Sequence, residues 1–374
     1  MPFSAVYPYY SMHITAGMYA AVNQCGYTQN DFEIIPVYIG QGQHKMVQEA
    51  VQKLLFFEGV DVVTGMVNIK VLTEISPLLD NYNKLGLFID FGEIVHPTIS
   101  FGKNVGCLSM NYWQSEYALG KWAVNEFGPD GQIILPIYES GFDLHYAFLQ
   151  GGGSSGSEAL HQMVLTDEYV TKDQLNLVPF FEAIEKDEPN FVHAIFTGSL
   201  GTQFFYQWRN SKFYDHIPLV TVENMAYEDI LQDVQHLNID LYAASSWKST
   251  NQTLQNIKFV KQFEQLHHQP VSVFSMLGYE LGILLGNVYQ DMIKGDCANA
   301  IVKIKNSKLE GPRGLIVIQG FTEKIYPLID ILKIRTDHLN INQTIIDQKS
   351  AIGFDTTTIF EDNISGYLNP YFSI

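Results

Sequence analysis

The stretch Asp61-Val-Val-Thr-Gly-Met-Val-Asn68 has the pattern of a short buried strand that leads through a turn into a helix. The strand is predicted over residues 60–63, and Thr64-Gly65 is the predicted turn. Apolar residues recur at helical spacing on both sides, over residues 46–55 and 71–79. A strand that follows one helix and precedes another is the repeating unit of a parallel α/β sheet. Such sheets bind ligands at the carboxyl ends of their strands, so this loop is the first place where a small molecule is expected.

Composition predicts a well-packed protein whose partner is neither nucleic acid nor an anionic membrane. The chain has 374 residues, 46% of them hydrophobic and 17% charged. That length predicts two domains, and that balance is typical of a globular fold. The net charge is −18, from 40 acidic and 22 basic residues. Nucleic acids and anionic lipids both require basic surface, so the charge argues against either partner.

The cysteines and the chain's hydrophobic pattern leave its compartment open. Cys25, Cys107 and Cys297 have neither zinc-site spacing nor the pattern of a disulfide framework, and we expect buried free thiols, although one bridge could form. No apolar run is long enough to cross a membrane. The N-terminus lacks a basic segment followed by an apolar one, and residues 3–7 already have a strand pattern. Either a leader has been removed or the protein is cytosolic.

Hydrophobic periodicity predicts two successive series of strands and helices, the pattern of a doubly wound α/β fold. In the first series, strands are predicted over residues 3–7, 32–39, 60–63, 86–90 and 105–110. In the second, strands are predicted over residues 132–138, 161–165, 192–197, 218–222 and 240–244, with helices near residues 143–150, 172–186, 200–210 and 227–231.

The rest of the chain is predicted to begin with two helices, over residues 254–266 and 273–294. The turn Gly311-Pro-Arg-Gly314 then leads to strands over residues 315–319 and 327–335, expected to be antiparallel to each other. The tail, residues 336–374, has no assigned structure.

Three stretches of the second half occur in the order of a known signature. They are Phe259-Val-Lys-Gln-Phe263, Phe274-Ser-Met-Leu-Gly-Tyr-Glu-Leu-Gly282 and Leu309-Glu-Gly-Pro-Arg-Gly314. Together they resemble the C-terminal signature of type I periplasmic-binding proteins, and more narrowly the branched-chain amino-acid-binding family, the extracellular ligand-binding receptors of ABC transporters. Gly278-Tyr279-Glu280 stands where that family has Gly-Tyr-Asp. The likeness covers residues 3–335, but the first loop, normally rich in Ser and Gly, reads Pro8-Tyr9-Tyr10-Ser11.

The resemblance implies two doubly wound α/β lobes with parallel sheets, joined by a three-crossing hinge. Lobe 1 would contain residues 1–110 and 249–311, and lobe 2 would contain residues 111–248 and 312–374. The ligand would lie in the cleft between the lobes, which would close over it by a hinge motion.

Mapped onto this chain, the family's ligand contacts come from the loops that follow particular strands. In lobe 1 the candidates are Tyr9, Tyr10, Ser11, Thr64, Met66, Asn68, Asp90 and Phe91. In lobe 2 they are Tyr138, Glu139, Asp143, Thr197, Ser199, Glu223 and Asn224, with Trp247 near a crossing.

These side chains suit a zwitterion or an uncharged polar molecule. Glu139 or Glu223 would pair with an ammonium group, or would instead cap the helix that follows. The aromatic rings would stack on an apolar group or a cation. No arginine falls in these loops, which argues against a phosphate or a dicarboxylate.

Gly151-Gly-Gly-Ser-Ser-Gly156 fits two catalytic motifs, but both need a strand before and a helix after the glycines, and the predicted order here is the reverse. A flexible surface loop at a helix C-terminus is the expectation. The sequence contains no catalytic constellation, so we expect no enzyme and no cofactor or metal.

The resulting prediction is a solute-binding protein of an ABC importer that captures an amino acid, aromatic acid or amide and presents it to a permease outside the cytoplasm. The alternative is a cytosolic ligand-sensing regulator with the same fold. Residues encoded upstream of Met1 would distinguish the two, because a signal sequence supports transport.

Overall fold

The computed structural model of the protein describes residues 1–2, 4, 6–95, 101–158, 160–171 and 174–358. The strands are β1 (Val62–Met66), β2 (Leu85–Asp90), β3 (Val105–Ser109), β4 (Gly131–Pro136), β5 (Leu160–Leu165), β6 (Val170–Thr171), β7 (Gln174–Leu175), β8 (Phe191–Ala194), β9 (Leu219–Thr221), β10 (Asp240–Ser245), β11 (Glu310–Gly311), β12 (Gly314–Leu315), β13 (Ile318–Gln319), β14 (Ile329–Thr336) and β15 (Ile341–Lys349). The α-helices are α1 (Tyr10–Gln24), α2 (His44–Lys53), α3 (Ile69–Asn81), α4 (Tyr112–Phe127), α5 (Leu144–Gly153), α6 (Val178–Asp187), α7 (Ser199–Arg209), α8 (Glu228–Val234), α9 (Leu254–His267), α10 (Val273–Ile293) and α11 (Cys297–Asn306). Short 3-10 turns include Glu139–Gly141 and Glu223–Ala226, and α2 continues into a π-helical turn, Leu54–Glu58.

Two sheets organise the chain into two lobes. The small sheet has the order β1-β2-β3-β13, with β1, β2 and β3 parallel and β13 antiparallel to β3. The large sheet has the order β15-β14-β10-β9-β8-β4-β5, in which β5, β4, β8, β9 and β10 are parallel. We call the part built on the small sheet lobe 1 and the part built on the large sheet lobe 2. The chain passes between the sheets three times, after β3, after β10 and after β13, which confirms the predicted fold class.

Helices cover both faces of the small sheet. Side chains of α2 and α3 pack against Val63 and Phe88 on one face. On the other face, α1 and α10 lie against Leu87 and Ile89. Buried parallel strands need apolar residues on both faces, which is why β2 has the continuous run Leu-Gly-Leu-Phe-Ile.

Small residues let α1 and α10 approach each other backbone to backbone. A Cβ added to Gly17 would lie 2.0 Å from the carbonyl oxygen of Ser275, and one added to Gly278 would lie 2.0 Å from that of Ile14. The small residues of α1 therefore form its packing surface on α10. Ser272 begins α10 with a capping box, in which its Oγ accepts from the backbone N–H of Ser275 at 3.2 Å.

Glycine has the same role between α4 and α5 in lobe 2. The prediction of a surface loop at Gly151 was wrong for its first three glycines, because α5 continues to Gly153. A Cβ on Gly151 would lie 2.0 Å from the carbonyl oxygen of Tyr117, and one on Gly120 would lie 2.2 Å from that of Phe148. The glycine run thus allows close helix packing, and the turn begins only at Ser154.

Three local predictions in lobe 1 were wrong. Thr64-Gly65 is no turn, because these residues continue β1 and pair with Leu87 and Phe88 of β2. Residues 32–39 run without strand pairing, and β1 is left as the edge strand of the small sheet. The first predicted strand includes residues 3 and 5, which lie outside the described residues, and Ser4, Val6 and Tyr7 are not in a strand.

Three predictions near the C-terminal half also need correction. The strands expected to pair with each other lie in different sheets, because β13 pairs with β3 whereas β14 pairs with β10 and β15. Residues 318–319 therefore belong to the small sheet, although the predicted lobe boundary assigned them to lobe 2. The helix predicted over residues 172–186 begins only at Val178, with Pro179 in its first turn, where proline is favourable. Residues 172–173 and 359–374, which the predicted helix and tail include, lie outside the described residues.

Candidate functional site

The loops at the carboxyl ends of the two sheets face each other and are joined by hydrogen bonds between the lobes. The backbone N–H of Asp143, before α5, donates to the carbonyl oxygen of Glu93, in the loop after β2, at 2.8 Å. In return, the N–H of Val95 donates to Asp143 Oδ2 at 2.6 Å. The Tyr9 hydroxyl donates to Asp229 Oδ2 at 2.6 Å. We call the space between these loops the cleft.

Lobe 2 lines the cleft with a buried polar network built from three successive strand ends. Glu139 follows β4, Thr197 follows β8 and Asn224 follows β9. The Thr197 hydroxyl donates to Glu139 Oε1 at 2.5 Å. Asn224 Nδ2 donates to the carbonyl oxygen of Phe196 at 3.1 Å and to Thr197 Oγ1 at 3.3 Å. The parallel order of β4, β8 and β9 brings these residues together. This agrees with the expectation that ligand-binding residues lie at the carboxyl ends of parallel strands.

Lobe 1 contributes two carboxyl groups at the carboxyl end of β2 and in the loop that follows it. Asp90 ends the strand, and its Oδ1 accepts from the N–H of Gly92 at 2.5 Å and from the Ser109 hydroxyl at 3.1 Å. Glu93 is only 7% exposed, and its Oε1 has no hydrogen-bond partner among the described residues. Sequence reasoning missed Glu93 as a site residue, although its position three residues after Asp90 could have identified it.

Tyrosine rings surround these acids. The Tyr7 ring lies 5.2 Å from that of Phe274 and 6.2 Å from that of Tyr9, measured between centroids. Tyr7 interacts electrostatically with Asp229, Glu139 and Glu93, and Tyr227 interacts with Tyr7, Asp229 and Glu93. Tyr7, Tyr227 and Asp229 were also missed, although each lies within a few residues of a predicted strand end.

Burial raises the pKa of the carboxyl groups in the cleft. It raises the pKa of Glu139 to about 7, against the hydrogen bond from Thr197, which lowers it. It raises the pKa of Asp90 to about 6 and that of Asp143 to about 6, the latter opposed by the Val95 N–H and by the charge of Lys70. The pKa of Glu93 is raised by burial and further by the negative charges of Asp90 and Glu139. The cleft therefore holds protons near neutral pH.

The structure brings together six of the predicted site residues at the cleft. They are Tyr9, Asp90, Glu139, Asp143, Thr197 and Asn224. All of them except Tyr9 lie at the carboxyl end of a strand or in the short loop beyond it. Tyr138 neighbours them, with its ring 5.8 Å from that of Phe142.

Other predicted site residues belong to lobe 1. The Tyr10 hydroxyl donates to the carbonyl oxygen of Pro2, and Ser11 lies in the first turn of α1. Thr64 is exposed in the middle of β1, and Met66 is buried at its end. Asn68 caps α3 by accepting from the N–H of Lys70 at 2.9 Å. The Phe91 ring stacks on that of Tyr112 at 5.6 Å.

The remaining predicted residues lie near the crossings or on the surface. Glu223 accepts from the Ser115 hydroxyl at 2.7 Å through Oε2 and from the Ser246 hydroxyl at 2.7 Å through Oε1. Trp247 Nε1 donates to Asn256 Oδ1 at 2.9 Å, which occupies its indole N–H. Ser199 is exposed at the start of α7.

An ion pair fixes the first crossing to the long helix of lobe 1. Arg313 Nη2 and Nε lie 2.6 and 3.1 Å from the two carboxylate oxygens of Glu280. Arg313 Nη1 also donates to the carbonyl oxygen of Ser109 at 3.0 Å. Glu280, the residue that replaces Asp in the Gly-Tyr-Asp motif, thus holds the arginine of the Gly-Pro-Arg-Gly turn. None of the helices formed by the described residues has the length and hydrophobicity needed to cross a membrane.

Solved structures of ABC transporter proteins are similar to this chain over nearly its whole length. A substrate-binding protein from Sphaerobacter thermophilus is 15% identical, with a TM-score of 0.75, and the match covers 94% of this chain and 98% of that one. A solute-binding protein from Rhodopseudomonas palustris BisB5, in complex with 3,4-dihydroxybenzoic acid, is 17% identical, with a TM-score of 0.73 and coverage of 94% and 95%. A branched-chain amino acid ABC transporter periplasmic ligand-binding protein from Burkholderia xenovorans LB400 is 13% identical, with a TM-score of 0.68 and coverage of 94% of each chain.

The family is shown by sequence as well as by fold. No curated protein matches the chain in sequence. The profile of a family described as periplasmic binding protein, however, matches residues 2–323, most of the chain. This match confirms the resemblance inferred from the Gly-Tyr-Glu and Gly-Pro-Arg-Gly segments. The family is one of binding proteins, in agreement with the expectation that the chain is not an enzyme. The chain belongs to the periplasmic binding protein family.

Proposed function

We propose that the protein is the solute-binding component of an ABC importer, which captures a small amino-acid-like or aromatic molecule between its lobes and presents it to a permease. The observation that carries this proposal is the cleft itself, where loops from both lobes meet around buried carboxyl groups and tyrosine rings. Polar groups that are buried without full hydrogen bonding are costly unless a ligand completes them. The aromatic acid and the branched-chain amino acid named for the similar proteins support this ligand class.

Family membership supports a location outside the cytoplasm. We propose that the protein works in the periplasm or attached to the outer side of a membrane. Protease added to intact cells, or to cells with a permeabilised outer membrane, would digest an extracytoplasmic protein and spare a cytosolic one. Digestion only after lysis of the inner membrane would favour the cytosolic regulator instead.

The first experiment is a thermal-shift screen of protein that has been unfolded, stripped of ligand and refolded. The panel contains amino acids, amides, aromatic acids, arylalkyl amines and small sugars. A ligand present at about 100 times its dissociation constant stabilises the folded state by about 2.7 kcal/mol, which gives a clear rise in melting temperature. Loss of this shift in a Thr197→Val variant, whose lost hydroxyl hydrogen-bonds Glu139, would connect the hit to the cleft.

Small-angle scattering then tests closure. Ligand bound to both lobes should lower the radius of gyration of the ligand-free protein. Unchanged scattering at saturating ligand would contradict the clamp mechanism. A screen without any hit in any class would contradict the proposed function.

A further inference from the structure

The unpartnered oxygen of Glu93 points to the chemistry of the ligand. The residue is only 7% exposed, yet Glu93 Oε1 forms no hydrogen bond with the described residues. Its backbone is fixed at the meeting of the lobes, because its carbonyl oxygen accepts from the N–H of Asp143 at 2.8 Å. A carboxyl group held in this way is costly to bury, and a hydrogen-bond donor that enters the cleft removes the cost.

Acidic groups predominate around Glu93. Asp90 at the end of β2 and Glu139 from lobe 2 both interact electrostatically with Glu93. The other titratable groups facing them from the packed elements are Asp143 before α5, Lys70 in α3, Asp229 in α8, and the phenols of Tyr7, Tyr9 and Tyr227. The charge of Lys70 acts on Asp143, and Arg313 is bound by both carboxylate oxygens of Glu280. A ligand carboxylate would therefore meet mainly like charge.

The aromatic rings favour a cation with an aromatic group. Tyr7 and Tyr9 pack against Phe274 at 5.2 and 5.8 Å between ring centroids. The Tyr227 hydroxyl has no hydrogen-bond partner among the described residues and interacts electrostatically with Glu93. Aromatic faces attract organic cations, and most strongly in sites removed from water.

We propose that the cleft binds an arylalkyl ammonium ion without a free carboxylate, whose ammonium group bridges Glu93 of lobe 1 and Glu139 of lobe 2. This inference rests on the proposed function and narrows its ligand class. It sets the protein apart from the similar structure that contains an aromatic acid, because the charge of the ligand is reversed. The ammonium group would also draw the lobes together, since its two carboxyl partners belong to different lobes.

Binding of such a cation should release protons. Burial raises the pKa of Glu139 to about 7 and raises that of Glu93, so the ligand-free cleft carries protons near neutrality. An ammonium ion stabilises the ionised carboxylates and expels these protons. Its affinity should therefore rise with pH, by up to about tenfold per pH unit for each proton released. A carboxylate ligand would show the opposite trend.

The test compares four ligands that share a phenyl group and differ in charge. They are phenethylamine, phenylalanine, 3-phenylpropanamide and 3-phenylpropanoate. Calorimetric titration of the ligand-stripped protein at about pH 7.5, in two buffers of different ionisation enthalpy, gives both the affinity and the number of protons exchanged. We expect phenethylamine to bind at least about tenfold more tightly than 3-phenylpropanoate, with proton release.

Glu93→Gln tests the assigned residue. The variant should bind phenethylamine at least about tenfold more weakly and retain its affinity for the neutral amide. Its melting temperature without ligand should equal or exceed that of the wild type, because a neutral amide replaces an ionisable carboxyl group buried among other acids. Glu126→Gln, at an exposed acid on α4, is the matched control and should change neither property.

Each other outcome has a definite meaning. Tighter binding of 3-phenylpropanoate, with proton uptake, would overturn the ammonium assignment and leave the proposed function intact. Equal loss of amine and amide binding in Glu93→Gln would overturn the charge pairing. If none of the four ligands binds, the ammonium proposal is wrong, and the wider thermal-shift screen decides the proposed function separately.

Discussion

At the scale of single residues, the buried carboxyl groups make the stability of the ligand-free protein depend on pH. Burial raises the pKa of Glu139 from 4.5 to about 7. Between these values the folded state binds the proton more tightly than the unfolded state does. The stabilisation is therefore complete below the unfolded pKa and is lost as the pH rises through the folded pKa. One such group accounts for up to about 3 kcal/mol.

Glu139→Gln tests this dependence. The amide keeps the size of the side chain and can still accept from the Thr197 hydroxyl. We expect the variant to melt at a higher temperature than the wild type at about pH 8, and the difference to vanish at about pH 5. Melting followed by circular dichroism measures both. If the melting temperatures of both proteins fell equally with rising pH, the charge of Glu139 would not be the cause of the pH dependence.

The expectation that site residues follow the carboxyl ends of strands predicted some of these residues and missed others, for a physical reason. Asp90, Glu139 and Thr197 directly follow buried apolar runs, so the parallel sheet determines their position. Glu93 lies one loop turn further, where backbone hydrogen bonding to Asp143 of the other lobe determines its direction. Trp247 also follows a strand, but its indole N–H is bound by Asn256, a partner that no local pattern reveals.

At the scale of secondary-structure elements, the contact between α1 and α10 depends on the absence of side chains. We expect Gly17→Ala to destabilise the fold by about 1–3 kcal/mol or more, because its Cβ would lie 2.0 Å from the Ser275 carbonyl oxygen. Gly153→Ala, in α5, is the matched control, since a Cβ there meets no atom within 4 Å. Urea unfolding of both variants measures the difference. Equal stability would mean that the two helices separate at little cost.

Elements buried on both faces were predictable, and those defined by distant partners were not. The strands predicted at β4 and β8, whose residues are all buried, matched the observed strands to within one to three residues. Residues 32–39 also have an extended pattern, but that pattern does not say whether a neighbouring strand exists. The glycines at 151–153 suggested a loop, because their contact surface on α4 lies some thirty residues earlier in the chain.

At the scale of the whole molecule, the Arg313–Glu280 ion pair connects the hinge to the core of lobe 1. Glu280 is buried, and Arg313→Gln would leave its carboxylate without a cation, at a cost of about 3–5 kcal/mol. The double variant Arg313→Gln with Glu280→Gln should recover most of this loss, because no charge is then buried. Chemical denaturation of the two variants and the wild type gives the comparison. If the single variant lost less than about 1 kcal/mol in free energy of unfolding, the ion pair would set the geometry of the hinge without stabilising the fold.

The pairing of α1 with α10 also affects the order in which parts of the chain can fold during synthesis. Helix α1 is complete at residue 24, but its partner α10 is not complete until residue 293. Between them emerges one continuous segment, residues 131–245, which contains all five parallel strands of the large sheet. Domains generally fold as units during synthesis. The middle of this nascent chain can therefore fold before α10 is made, while the surface of α1 around Gly17 is still uncovered.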